Sequence, residues 1–219
     1  MVKGVHAMGM EPCVTTGFVS ELQAQQLKEA GLHSLNHNLD TSERMYPKII
    51  STRTFDQRLE TINNAAEAGL NVCTGGIVGL GEETEDRIEL LRTLANLPSG
   101  HPDSVPVNSL IPIEGTPLGD RLKKTGKAPT WVDLVRMIAT ARILMPKTMV
   151  RLSAGRHERS EAEQAMMVLC GGNSIFSGEL LTTDGTDRDR DAELFELLGL
   201  KSKPPNSEAL RSPYMESNP

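Results

Sequence analysis

AEAGLNVCTGGIVGLGEETEDRIELLRTLANL, residues 66–97, reads as a helix end, a glycine stop, a short apolar strand, a glycine-rich turn and a second helix. KEAGLHSLN, residues 28–36, repeats the first half of that device. A glycine just past the last helical residue takes the left-handed conformation that ends a helix. Strands alternating with helices in this way form βαβ units with a parallel sheet. The handedness of such units leaves a doubly wound open sheet or a (βα) barrel. Outward from this stretch, strands are predicted at 11–16, 33–39, 71–78, 104–111 and 148–153, each followed by a helical pattern. Helices are expected at 20–31, 54–69, 82–97, 130–144, 160–169 and 191–198, with 115–129 as a loop and 173–176 as either a further short strand or a turn. KGVHAMGMEPCVTTG, 3–17, reads as a helix tail running into the first strand. Residues 201–219 hold four prolines and no periodicity, so a loose tail is expected after a domain spanning 1–200.

The composition is that of a globular chain: 219 residues, 38% hydrophobic and 24% charged, enough for one sizeable core. Cys13, Cys73 and Cys170 are odd in number and far apart, which excludes a disulfide scaffold. With 23 basic against 29 acidic residues the net charge is -6, and aromatics are 3%. Such a chain has no electrostatic reason to bind nucleic acid or anionic lipid and little surface on which bases would stack. No apolar run is long enough for a membrane span. MVKGVHAMGMEPC carries neither an apolar signal core nor an Arg- and Ser-rich transit pattern.

The polar residues cluster at the C-terminal ends of the predicted strands, as on the active face of a barrel or at the switch point of an open sheet. GGIVGLGEE, 75–83, has neither the G-x-G-x-x-G spacing of a dinucleotide loop nor the Gly-Lys-Ser/Thr of a P-loop. Its glycines either let backbone approach a flat ligand or simply make a tight strand-to-helix turn. LNHNLDTS, 35–42, puts Asn36, Asn38 and Asp40 at alternate positions, which share one face of a strand. Facing inward, an aspartate suits a ribose diol, and an asparagine offers a urea or amide edge both a donor and an acceptor. An Asx turn with a helix cap is the other reading. Cys13 and Cys73 each fall on a predicted strand; a buried structural thiol is the default, and a metal site requires the two at one depth. Arg151, inside an apolar strand, needs a partner, either a structural carboxylate or a ligand. His6, His33, His101 and His157 form no ligand spacing, and Cys170 at a helix end is read as structural.

MEPCVTTG (10–17), LNHNLDTSERMYPKIISTRTFDQRLET (35–61), NVCTGGIVGLGEE (71–83), SVPVNSLIPIEGTPL (104–118), MPKTMVRLSAGR (145–156) and GGNSIF (171–176), taken in order, resemble the biotin synthase family of radical S-adenosylmethionine (SAM) enzymes. The resemblance covers residues 1–200, and Gly75, Ile77, Gly79 and Glu82 fit the G-x-I-x-G-x-x-E pattern of many radical SAM barrels. It implies an α/β fold: a (βα) TIM-type barrel, here incomplete, with about five of the eight units. It implies sulfur insertion into dethiobiotin, with SAM cleaved at a [4Fe–4S] cluster on a Cys-x3-Cys-x2-Cys loop and sulfur supplied by a [2Fe–2S] cluster. By motif, Cys13, Cys73 and Arg151 resemble ligands of the [2Fe–2S] cluster. Asn38 and Asp40 resemble residues that meet the SAM ribose, Arg58 the residue near its carboxylate, and Ile77 the residue by its adenine. Asn36 and Asn108 resemble the amides that meet the ureido ring of dethiobiotin. The family further implies an electron donor such as flavodoxin or ferredoxin, a homodimer, and a cytoplasmic location in bacteria or a mitochondrial one in eukaryotes.

No Cys-x3-Cys-x2-Cys occurs in the 219 residues, and a third cysteine for the [2Fe–2S] cluster is missing too. The chain is therefore expected to be the C-terminal part of such an enzyme and inactive alone. Ser34 and Leu35 stand where aromatics are often seen, and the loop 119–128 is longer than in many members. Two other readings stay open: a barrel lyase or aldolase using ordinary acid–base groups, and a non-catalytic fragment or diverged paralogue that binds SAM or a partner.

Overall fold

The computed structural model describes residues 1–126, 128–177 and 188–203. Its elements alternate along the chain. Helix α1 (Val2–Ala7) leads into β1 (Cys13–Val14), α2 (Glu21–Glu29), β2 (Ser34–Asn36), α3 (Tyr46–Ile49) and α4 (Phe55–Glu67). Next come β3 (Asn71–Cys73), β4 (Gly76–Val78), α5 (Thr84–Ala95), β5 (Ser104–Ser109), α6 (Pro117–Thr125) and α7 (Trp131–Leu144). The series ends with β6 (Met149–Leu152), a 3-10 turn (Arg156–Glu158), α8 (Glu161–Leu169), β7 (Ser174–Ile175) and α9 (Arg188–Leu197).

All strand pairs are parallel, and the sheet runs β1-β2-β3-β5-β6-β7 with β4 also beside β5. Among the described residues β7 does not pair with β1, so the sheet is an open arc. The local sequence sets the helix starts. Ser20, Thr54, Thr130 and Ser160 each accept the backbone N–H of the third helical residue, and Gln23, Gln57, Asp133 and Glu163 reach back to the cap. These capping boxes satisfy donors that the first helical turn leaves free.

Alternation along the strands divides the sheet into two faces. Leu35, Val72, Val78, Val105, Val107, Val150 and Leu152 point outward into one apolar cluster with Ile62, Leu91, Leu94, Leu134 and Ile138 of the helices. The opposite positions form the inner face: Cys13 and Ser34 in register, Asn36 beside Cys73, Cys73 beside Ser104, Ile77 beside Asn108, and Pro106, Arg151 and Ser174 in one row. Barrel interiors are ordinarily filled with branched apolar side chains. Polar groups and thiols dominate here.

The structure corrects several expectations. The incomplete parallel arc is as expected, and 173–176, left open between strand and turn, contains β7, which makes six strand positions. The strand expected over 71–78 is two segments separated by Thr74 and Gly75. The stretch 115–129, expected as a loop, contains α6, capped by Thr116, begun by Pro117 and closed by Gly126 in the left-handed region. Helix α3 was not anticipated, and α9 starts earlier than expected. The tail expected over 201–219 lies outside the described residues from position 204 onward.

Candidate functional site

The alternation expected for Asn36, Asn38 and Asp40 holds only to the end of β2. Asn36 pairs with Cys73, and the next bridge joins Asp40 to Gly76. Four steps along one chain thus oppose three along the other, a bulge of one residue. Asp40 takes it up with φ 67, the left-handed region that glycine favours and an aspartate enters at a cost. The Gly75 carbonyl accepts the Asp40 N–H at 3.1 Å, and the Asp40 carbonyl accepts the Ile77 N–H at 2.8 Å. The Asn38 side-chain oxygen accepts the Gly75 N–H at 3.1 Å. A side chain at Gly75 would meet the Pro106 carbonyl oxygen at 2.1 Å, so only glycine permits this approach.

Arg58 of α4 fastens the bulge from below. Its guanidinium donates to the Asn38 carbonyl at 2.9 Å and to the Tyr46 hydroxyl at 2.9 Å, and pairs with the Asp40 carboxylate at 3.1 Å. Burial pushes the Asp40 carboxyl above its ordinary value, and Arg58 pulls against that shift. His37, buried beneath Phe18, is held neutral: burial, then Arg58 and Arg53, lower its value to about 4.

Asn36 donates to Thr15 at 3.0 Å. Asn108 donates to the Gly76 carbonyl at 3.1 Å, and its side-chain oxygen accepts the Ala154 N–H at 3.3 Å. Arg151 reaches across the face: its Nη1 lies 3.6 Å from the Cys73 sulfur, its Nε donates to Ser174 at 3.0 Å, and its guanidinium lies over the Phe176 ring at 4.7 Å. Cys73 is buried and Cys13 exposed. Enough protein surrounds the Cys13 thiol for desolvation to push it up; Cys73 adds to the shift and Arg151 opposes it. The Ser104 hydroxyl, in register with Cys73, is buried and has no hydrogen-bond partner among the described residues. Two thiols on one face are soft ligands of the kind that metal–sulfur groups take, and the guanidinium and the unsatisfied hydroxyl beside them are hydrogen-bonding groups. Among the described residues no three His, Cys, Asp or Glu side chains converge as a metal site on their own.

Two buried acids flank the start of α5: Glu82, just before the helix and already part of the G-x-I-x-G-x-x-E pattern, and Asp86, in its first turn, which escaped the sequence reading. Glu82 accepts the Gly79 N–H with both oxygens, at 2.9 and 3.1 Å, and pairs with Arg87, which also holds Asp133 at 2.7 Å. Asp86 receives Ser42 and Arg44. The acidic start of the helix was the available signal for Asp86, but it reads equally as dipole complement. A separate cavity of about 680 Å³, at the strands' N-terminal ends between His6, Lys28 and His33, is lined by none of the candidate residues.

Two family models match the chain: the radical SAM superfamily over residues 10–95, and the biotin and thiamin synthesis associated domain over residues 106–201. The mitochondrial biotin synthase of Arabidopsis thaliana is 55% identical over 94% of this chain and 53% of that protein. The biotin synthase of Cytophaga hutchinsonii is 54% identical over 93% of this chain and 59% of its own length. That of Schizosaccharomyces pombe is 52% identical over 92% and 54%. The chain thus spans a little over half the length of these relatives. Among solved structures, methylornithine synthase superposes with a TM-score of 0.72 at 21% identity, over 92% of this chain and 62% of that one. A maturase of the [FeFe]-hydrogenase gives 0.66 at 17% identity, over 80% and 41%. At such identities the likeness is one of fold.

Proposed function

We propose that this chain, which is similar to the biotin synthases over most of its length and matches the radical SAM model over residues 10–95, is the substrate- and sulfur-holding part of a radical SAM enzyme that converts dethiobiotin to biotin. The observation that carries this reading is the approach of Arg151 to Cys73, on an inner face that also presents Cys13, Asn36 and Asn108. In this proposal Cys13, Cys73 and Arg151 hold a [2Fe–2S] cluster; Asn38, Asp40, Arg58 and Ile77 hold SAM; and Asn36 and Asn108 hold the ureido ring of dethiobiotin. When bound, SAM supplies the hydrogen-abstracting radical, generated at a [4Fe–4S] cluster, and the [2Fe–2S] cluster supplies sulfur.

The chain's own part is to bind and orient. Asp40 offers two acceptors to a ribose diol, and Arg58 favours its charged form against burial. The bulge turns that carboxylate out of the alternating row. The two asparagine amides can match the donors and acceptors of a cyclic urea, and Asn108 is oriented by bonds at both ends of its amide. Ile77, beside Asn108, gives a flat base an apolar wall. The Arg151 side chain, bonded to Ser174 and set over Phe176, brings a fixed positive charge beside a thiol that would bind as thiolate.

The 219 residues hold no Cys-x3-Cys-x2-Cys, which favours a second reading in which this polypeptide alone binds ligands without turnover. Joining it to the preceding segment of the Arabidopsis relative tests both. With iron, sulfide, SAM, dethiobiotin and a reduced flavodoxin or ferredoxin, the fusion should form 5′-deoxyadenosine and biotin, and the 219 residues alone neither. Absence of biotin from a fusion that does form 5′-deoxyadenosine would sink the proposal. Assembly as a homodimer, and a location in the bacterial cytoplasm or the mitochondrion, are part of the same proposal; the relatives include bacterial and mitochondrial forms. Among the described residues no helix is long and apolar enough to cross a membrane.

A further inference from the structure

Asp40 is the one residue other than glycine with positive φ among those described, so something must hold it there. Upstream, Asn38 and Arg58 fix the chain. Downstream a single residue, Thr41, separates Asp40 from Ser42. The Ser42 hydroxyl is buried; it donates to Asp86 at 2.7 Å and accepts the Met45 N–H at 3.2 Å. Arg44 closes on the same carboxylate with two nitrogens, Nε at 3.0 Å among them. The Glu83 N–H adds a fourth donor at 3.0 Å. The Asp86 side chain is 2% exposed although that of Arg44 is 59% exposed, so the acid lies inside and the loop is drawn onto it. A buried carboxylate filled by four donors is a strong, directional anchor, because leaving any donor unmet is costly. Burial works against its charge, but Ser42, the Glu83 amide and Arg44 outweigh burial and hold its carboxyl below the ordinary value.

We propose that Asp86 is a positioning residue: through Ser42 and Arg44 it holds the 41–45 loop so that Asp40 keeps its left-handed backbone and presents its carboxylate to a cis-diol. Asp86 lies at the start of α5, which packs on the outer side of the sheet and has no place on the inner face. It acts only through the loop. The diol part of this proposal rests on the reading of Asp40 as a ribose contact.

The test uses the 219-residue chain labelled with ¹⁵N, with adenosine and 2′,3′-dideoxyadenosine as probes. In Asp86→Asn the Ile77 amide, which donates to the Asp40 carbonyl, should exchange with solvent at least ~10 times faster, while amides in α7 and β5 keep their rates. Adenosine should bind about tenfold more weakly and the dideoxy compound unchanged, since only the former presents the diol. Should Asp86→Asn fail to fold, Ser42→Ala gives the same pattern at smaller amplitude. Unchanged exchange at Ile77 in a folded variant overturns the proposal, as does a uniform loss of protection across the chain, which marks a merely structural acid. If the unsubstituted chain binds neither probe, the ribose reading of Asp40 falls, and exchange at Ile77 alone decides the positioning role.

Discussion

The Arg151 guanidinium on β6 lies 3.6 Å from the Cys73 sulfur on β3, 78 positions earlier in the chain and across the intervening strand β5. The register explains the approach: Cys73 stands beside Ser104 and Arg151 beside Pro106, two residues further along β5 on the same face. A long side chain spans that step. If Cys73 holds the sulfur-supplying group, as proposed, Cys73→Ala in the fusion with the preceding segment should abolish biotin formation while leaving 5′-deoxyadenosine formation within a few-fold. Parallel assays of the two products check it, and equal loss of both would contradict the assignment.

Gly75 admits no side chain. A Cβ there would sit 2.1 Å from the Pro106 carbonyl oxygen, backbone that cannot swing aside. Gly75→Ala should cost about 3 kcal/mol, by forcing β3 and β5 apart. Urea unfolding measures it, with Gly17→Ala as a contrast: that glycine has positive φ but open space around it, so strain alone should cost about 1 kcal/mol.

Asp133 makes stability depend on acid pH. Burial raises its value, but Thr130 and Arg87 outweigh burial and lower it from 3.8 to about 2. A carboxyl depressed in the folded state contributes fully above its unfolded value and loses that contribution as pH falls through 3.8 towards about 2. Screening by solvent leaves about 1 kcal/mol. The stability gap between the chain and Asp133→Asn, measured by urea at neutral pH, should therefore shrink on acidification below about pH 4; a gap constant with pH would contradict the linkage.

Removing Arg58 should raise the midpoint of the Asp40 carboxyl further. Burial already raises this carboxyl, and Arg58 is the charge that opposes it. In Arg58→Leu, ¹³C NMR of the Asp40 carboxyl should show a higher midpoint than in the unsubstituted chain, and adenosine affinity should begin to fall on acidification at a correspondingly higher pH. An unshifted midpoint would mean that the 3.1 Å pair has little influence on the charge.

The repeating architecture was legible because each unit carries its own punctuation: Gly31 and Gly69 after their helices, Ser20, Thr54, Thr130 and Ser160 before theirs. Helix α6 was hidden by Gly119 in its first turn, although Thr116, Pro117 and Gly126 are ordinary boundary residues. Strand β7 is two residues long, too short to show a period. Counting by twos put Asn36, Asn38 and Asp40 on one face; the structure pairs Asn36 with Cys73, but the alternation fails by Asp40, because the chain gains a residue between the two bridges. A bulge is a property of two strands together and leaves no mark in either sequence alone. Asp86 was missed for a related reason. An acid in the first turn of a helix has a sufficient local explanation, and its partners Ser42 and Arg44 lie more than forty positions away.

The left-to-right order of the strands in the sheet is also their order in the chain. A polypeptide leaving the ribosome at about 5–20 residues per second would find the neighbour for every new strand already made. Pairing could then advance as a zip with a single front, each helix covering the outer face of the strand just added. No segment would need to wait for a partner still to be synthesised, and the slow search that distant strand pairing imposes would be broken into short local searches, one per βα unit.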